Sequence, residues 1–246
     1  MLLTWIIVFS ILGSVGAIAG AALLLLFPQA IRQTLLPLLL SYATGTLLGA
    51  AFLGMIPGGL ALLPPINMSA TVLGVIVMLF ILEKIVLWRH CHKEHCTVHG
   101  AAAPLILIGD AFHNFVDGFV IAAAFLTSIP LGIAASLAVI AHEVPQEVGD
   151  FAILLDNGYS RKHALLMNTL SSLATLPGAI IAYFFLAATQ EAIPYILGLS
   201  AASFIYIAIA DLVPGLHKQI SCRKSLLQIS LLLAGIATIG LFHMPH

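Results

Sequence analysis

The chain has 246 residues, of which 61% are hydrophobic and 8% charged, with a mean hydropathy of +1.12 and a net charge of -1. A soluble domain carries about 25% charged residues, so this chain has too few to build a water-facing surface, and lipid must cover much of it. The near-zero net charge offers nothing to nucleic acid, and the three cysteines, Cys91, Cys96 and Cys222, are odd in number and form no disulfide framework.

A membrane-spanning helix needs about 20 mostly apolar residues. Apolar runs of that kind predict eight spans, over residues 4–27, 35–62, 69–88, 103–126, 131–154, 164–187, 193–215 and 226–243. The expected fold class is therefore an all-α integral membrane protein, one transmembrane domain over 1–246. Ala17-Ile18-Ala19 has the form of a cleavage site, but no Lys or Arg precedes the apolar run. Span one is thus read as an uncleaved helix rather than a signal peptide.

The nine basic residues are Arg32, Lys84, Arg89, Lys93, Arg161, Lys162, Lys218, Arg223 and Lys224. All fall in or beside the loops joining spans one and two, three and four, five and six, and seven and eight. The positive-inside rule places those loops in the cytosol. The expected localisation is a multi-pass membrane protein with both termini outside the cytosol. Loops on the other side are short, Pro64-Pro65-Ile66-Asn67 and Thr127-Ser128-Ile129-Pro130 among them, and each joins a tight antiparallel helix pair.

In span two, Gly54-Met55-Ile56-Pro57-Gly58 resembles Asp211-Leu212-Val213-Pro214-Gly215 of span seven. Interrupted helices in corresponding halves are a mark of inverted-repeat transporters. Between spans three and four, the segment 89–102 is expected to be a cytosolic loop rich in His and Cys. Its His90, Cys91, His92, His95, Cys96 and His99 supply imidazole and thiolate, a set that favours zinc or copper(I). On the cytosolic side it would receive or sense metal.

Spans four and five carry acids at membrane depth: Asp110, Asp117, Glu143, Glu147 and Asp150, with Asp211 in span seven. Each costs about 2.5–3.5 kcal/mol at a helix centre on insertion scales, so they must face one another, water or a cation. At about 100° per residue, Asp110, His113, Asn114 and Asp117 share one face of span four. His142, Glu143, Gln146 and Asp150 cluster on span five, with Glu147 at the edge of the stripe. The candidate ligands are His113, Asn114, Asp117, His142, Glu143 and Gln146. Imidazole beside carboxylate and amide points away from calcium and magnesium and toward zinc, iron or manganese. The lack of thiolates makes the site labile. Pro145 frees the carbonyl of Ala141 beside this cluster. Asp110, Glu147, Asp150 and Asp211 remain as groups that support the ligands, relay protons or bond helices together.

Segments 110–118 and 142–150 resemble the signatures of the ZIP (Zrt/Irt-like) family of metal transporters. The family's His-Asn-x-x-Asp/Glu-Gly pattern is matched by His113, Asn114, Asp117 and Gly118. Its His-Glu-x-Pro-His-Glu-x-Gly-Asp pattern is matched by His142, Glu143, Pro145, Glu147, Gly149 and Asp150. The resemblance implies eight spans, with spans 1–3 and 6–8 as inverted repeats around spans 4–5. It also implies transport into the cytosol through a site between spans four and five that is able to hold two ions. His113, Asp117, His142 and Gln146 would form one half; Asn114, Asp117, Glu143 and Gln146 the other. The family usually has His or Glu at 146, and relatives often carry Asp, His and Glu where this chain has Ala50, Gly54 and Gly58. A neutral amide cannot bridge two ions as a carboxylate does.

The expected function is transport of divalent transition-metal ions, with Zn2+ first and Fe2+, Mn2+ or Cd2+ as alternatives. The metal is substrate, and no resident cofactor is expected. Partners are the ion and the lipid bilayer, with a homodimer as one admissible assembly. Two other readings compete. An intramembrane zinc metallopeptidase would use a His-Glu-x-x-His helix, but His142-Glu143-Val144-Pro145-Gln146 lacks the second histidine. A metal-sensing receptor or channel is the other; short loops argue against the receptor.

Overall fold

The computed structural model describes residues 1–90, 99–217 and 222–242, with side chains described outside 86–90, 99–106, 156 and 222. Every regular element among the described residues is helical. Span one runs Leu2–Leu25, span two Gln29–Leu60, span three Pro65–His90 and span four His99–Thr127. Span five runs Ile129–Asp156, span six Arg161–Ala188, span seven Gln190–Leu216 and span eight Cys222–Gly240. Among the described residues seven of these are long and apolar enough to cross a membrane. The eighth opens with Arg223 and Lys224, carries Gln228, and packs along span two.

Several helices start before their predicted apolar runs, because apolarity marks the hydrocarbon layer whereas a helix ends where its hydrogen bonds end. Two starts are fixed by serine caps. Ser128 Oγ accepts from the Leu131 amide at 3.2 Å, and Ser160 Oγ accepts from the His163 amide at 3.3 Å. Between them, Gly158 turns the chain at φ +86°, a conformation that costs a Cβ-bearing residue. Of the expected loop 89–102, residues 89–90 belong to the end of span three and 99–102 to the start of span four, while 91–98 lie outside the described residues.

Spans two and seven each carry a π-helical turn, Ala50–Met55 and Ile207–Leu212, just ahead of Pro57 and Pro214. A proline inside a helix loses its amide and crowds the carbonyl four residues back; here that carbonyl falls within the π turn, which widens the helix to accommodate it. Span one has a third such turn at Leu12–Gly16.

Close approach is set by glycine. Span four crosses span six where a Cβ on Gly118 would lie 2.2 Å from the Thr175 carbonyl oxygen, and one on Gly178 would lie 2.2 Å from that of Phe115. Span two crosses span eight in the same way through Gly45 and Gly235. With lipid outside, no hydrophobic force drives helices together, so small residues that admit backbone contact supply the packing. Spans four and five pack together as well, and the core they share is rich in small residues: Ala122, Ala123 and Ala124 of span four and Ala134, Ala135 and Ala138 of span five are all buried in it. Many hydroxyls in this core satisfy themselves locally, Ser136 Oγ for instance donating to the Gly132 carbonyl at 2.7 Å, whereas Ser10 and Ser172 Oγ are buried without a partner.

Candidate metal site

Span four contributes His113 and Asp117, one turn apart, and span five contributes the adjacent His142 and Glu143. His142 and Glu143 lie midway along Ile129–Asp156. Asp117, His142 and Glu143 are buried, while His113 keeps about a quarter of its side chain accessible, at 24%.

The four side chains converge. His113 Nε2 stands 3.3 Å from His142 Nε2, 3.4 Å from Glu143 Oε1 and 3.7 Å from Asp117 Oδ2. His142 Nε2 stands 3.3 Å from Asp117 Oδ2 and 3.6 Å from Glu143 Oε1. One ligand atom from each residue lies within 4.8 Å of the other three. A tetrahedral zinc ion with bonds of about 2.0–2.1 Å holds its ligand atoms about 3.3–3.4 Å apart. Five of the six separations among these atoms, 3.3 to 3.7 Å, are at that spacing or slightly wider, and the sixth, Asp117 to Glu143, is within 4.8 Å.

Hydrogen bonding supports the same chemistry. His142 Nδ1 is 2.9 Å from the Ala138 carbonyl oxygen, which only accepts, so Nδ1 carries a proton. In the neutral ring Nε2 then presents its lone pair to the cluster. Asp117 Oδ2 and both Glu143 carboxylate oxygens are buried without a hydrogen-bond donor. Buried acceptors of that kind are rare, and several of them aimed at one point suit a cation.

Asn114 and Gln146 point elsewhere. Asn114 Nδ2 donates to both the carbonyl oxygen and Oδ1 of Asp110, each at 3.1 Å, and its Oδ1 accepts from Thr175 Oγ1 at 3.0 Å. Gln146 Nε2 donates to the same Asp110 Oδ1 at 3.0 Å. The structure thus gathers His113, Asp117, His142 and Glu143 into one group and ties Asn114 and Gln146 to Asp110, one turn along span four.

Glu147 is fully buried with neither carboxylate oxygen bonded, and its carbonyl accepts from Asn168 Nδ2 of span six at 3.0 Å. Asp150 is half-buried one turn beyond. Asp211 is exposed and lines a cavity of about 420 Å³ with Leu40, His113, His142, Pro145 and Gln146. Of the expected loop ligands, His90 and His99 sit at helix ends with their side chains outside the described residues. Cys91, His92, His95 and Cys96 lie outside the described residues altogether.

Sequence reasoning missed three contributors. Thr175 fixes the Asn114 amide, Phe204 stacks edge-on against the His142 ring at 5.9 Å, and Glu83 accepts a hydrogen bond from Tyr206 of span seven. Thr175 belongs to a buried stripe of small polar residues on span six, Asn168, Ser171, Ser172 and Thr175, whose i, i+3, i+4, i+7 spacing is the signal that finds it, whereas Phe204 reads as an ordinary core aromatic. Glu83 sits beside Lys84 at the charged end of span three, where an acid reads as a solvated flank.

Residues 87–243 match the family model described as ZIP zinc transporter. The chain is 32% identical over 265 aligned positions to zinc transporter ZIP13 of Pongo abelii, covering 98% of this chain and 79% of that one. It is 38% identical over 138 positions to zinc transporter zipt-7.2 of Caenorhabditis elegans, 54% of this chain and 30% of the relative. With zinc transporter ZIP4 of Homo sapiens it shares 42% over 123 positions, 50% of this chain and 19% of the relative. The match therefore spans less than a third of the length of these last two relatives.

Proposed function

The chain belongs to the ZIP zinc transporter family, a family of multi-pass membrane proteins, and from that premise we propose that it carries divalent transition-metal ions, zinc first, across the bilayer. The ion would be held by His113, Asp117, His142 and Glu143. The observation that carries this reading is the convergence of their four ligand atoms at the middle of spans four and five, with five of the six separations at 3.3 to 3.7 Å. Two imidazoles and two carboxylates without thiolate favour zinc or iron over calcium or magnesium and bind less tightly than a structural cysteine site. A carrier needs a site that releases its ion.

The path runs toward the cytosol in this reading. The cavity that reaches His113 and His142 is lined by Leu40 from the first part of span two, Gln146 from the second half of span five, and Asp211 and Leu212 near the end of span seven. Those ends adjoin the cationic loops that the positive-inside rule assigns to the cytosol, which leaves both termini outside. Toward the other end, Ile121, Phe125, Leu131 and Leu197 are buried together. The site is then open inward and closed outward. The paired π turns before Pro57 and Pro214, and the packing of span two on eight and of seven on three, support an inverted repeat of spans 1–3 and 6–8 around spans 4–5. The peptidase alternative needs a ligand at position 146, where Gln146 donates to Asp110 instead.

Zinc uptake into proteoliposomes holding the purified chain tests the proposal. Saturable flux without unitary currents is the expected result; zinc currents would mark a pore, and peptide hydrolysis without flux would mark an enzyme.

Two further outcomes follow at the site and the loop. Gln146→His exchanges the amide for an imidazole beside the cavity and removes one donor from Asp110. It is expected to change the order in which cadmium, iron and manganese compete with zinc for uptake by about tenfold. An unchanged competition profile counts against any role for position 146. Deleting 91–98 is expected to leave flux within about threefold of the parent chain, because the four ligands lie in the spans. Complete loss of flux in a well-folded deletion makes the His/Cys segment part of the path.

A further inference from the structure

A second cavity, of about 330 Å³, opens where the end of span one, the start of span two, the end of span five and the start of span six meet. Its polar wall is Arg32 of span two with Arg161 and Lys162 of span six; Leu25, Phe151 and Leu165 are among the apolar residues that complete it. Three of the chain's nine basic residues thus line one cavity. Among the described residues none of the three has an ion pair; the close contacts of carboxylates with nitrogen found there are those with the histidines of the metal site. Arg32 Nε is buried without an acceptor. A guanidinium is always charged and offers five N–H donors and no acceptor, so a buried Nε lacks an oxygen that a ligand has to bring.

The apolar part of the wall selects among anions. A free phosphate would leave Leu25, Phe151 and Leu165 against water, whereas a phospholipid brings a phosphate for the cations and a chain for the apolar wall. Spans one, two, five and six all end here, so the cavity sits at the level where headgroups lie. Basic pockets between spans at the positive-inside face attract anionic headgroups, and Arg pairs with phosphate bidentately.

We propose that this cavity binds an anionic phospholipid, its phosphate held by Arg32, Arg161 and Lys162 and an acyl chain lying along Leu25, Phe151 and Leu165. The site is separate from the metal ligands and joins span five to spans one, two and six.

Native mass spectrometry of the full chain in detergent, with phosphatidylglycerol or phosphatidylcholine added at equal concentration, tests it. The parent chain is expected to retain phosphatidylglycerol about tenfold better than phosphatidylcholine. The double variant Arg161→Gln/Lys162→Gln changes two exposed positions, so folding is safe, and it is expected to lose most of that preference. Adding Arg32→Gln is expected to remove the rest, with a zinc-induced thermal shift confirming that the triple variant is folded. Lys84→Gln, an exposed cation on span three, is the control and is expected to change nothing. Equal retention of the two lipids by the parent chain overturns the proposal, as does an equal loss in Lys84→Gln. Full displacement of the lipid by millimolar inorganic phosphate also overturns it, since the cavity would then take a free anion.

Discussion

Asp117→Ala is expected to bring zinc flux to the level of empty liposomes while leaving the protein folded. Asp117 Oδ2 stands 3.3 Å from His142 Nε2 and 3.7 Å from His113 Nε2, so its loss removes one of four ligands and one of the two charges that attract the ion. Groups that merely support a metal ligand are worth about 10–100-fold in affinity; a charged ligand itself should cost at least the upper end of that range. The stability effect has the opposite sign. In the absence of metal Asp117 is buried with Oδ2 unbonded, and removing an uncompensated polar group from a buried site relieves its desolvation cost. The metal-free variant should therefore melt no lower than the parent chain, while the rise in melting temperature that zinc gives the parent should vanish. Asp117→Asn keeps the volume and removes the charge, and should behave as Asp117→Ala does. Normal flux in either variant would remove Asp117 from the site.

Gly118→Ala is expected to be nearly as damaging for a different reason. The added Cβ would lie 2.2 Å from the Thr175 carbonyl oxygen and 2.5 Å from the Ala179 amide nitrogen. Both are backbone atoms, so span six has to move. Overpacking of this kind costs about 1–3 kcal/mol, and it acts next to the site. Thr175 Oγ1 donates to Asn114 Oδ1 at 3.0 Å, so displacing span six breaks the bond that orients Asn114 beside the ligands. Lower melting, poorer yield and reduced flux should appear together. Gly149 is the contrast. It also belongs to a signature segment, yet a Cβ there would meet nothing within 4 Å. Gly149→Ala should be tolerated and even gain up to about 1 kcal/mol in helix propensity. Melting curves and zinc uptake of the two variants side by side check this; a Gly118→Ala protein indistinguishable from the parent would contradict the packing account.

These two glycines show where sequence reasoning stops. The spacing of His113, Asn114 and Asp117 puts them on one helical face, because helix periodicity is local and needs no partner. The same holds for the acids of span five and for the stretch of apolar residues in each span. Which glycine receives another backbone is a property of two helices at once, and nothing in the residues around Gly118 or Gly149 separates them. Asn114 and Gln146 illustrate a second limit. Both fall on the polar stripe, so spacing alone groups them with His113 and Glu143. A carboxamide carries its own donors, however, and both find Asp110 Oδ1, which lies one turn before Asn114 on span four. The proline-linked irregularities were half visible: Pro57 and Pro214 signal interruption, but the π turns just ahead of them depend on how each helix absorbs the lost hydrogen bond.

The central claim is that four side chains of spans four and five hold the transported ion. X-ray absorption at the zinc edge tests it most directly, on the chain lacking 91–98 and loaded with one equivalent of zinc. The account predicts a first coordination sphere of nitrogen and oxygen at about 2.0–2.1 Å, with two imidazoles, and its loss in Asp117→Ala. A sulfur scatterer at about 2.3 Å, or an unchanged spectrum in Asp117→Ala, would place the ion elsewhere and contradict the site.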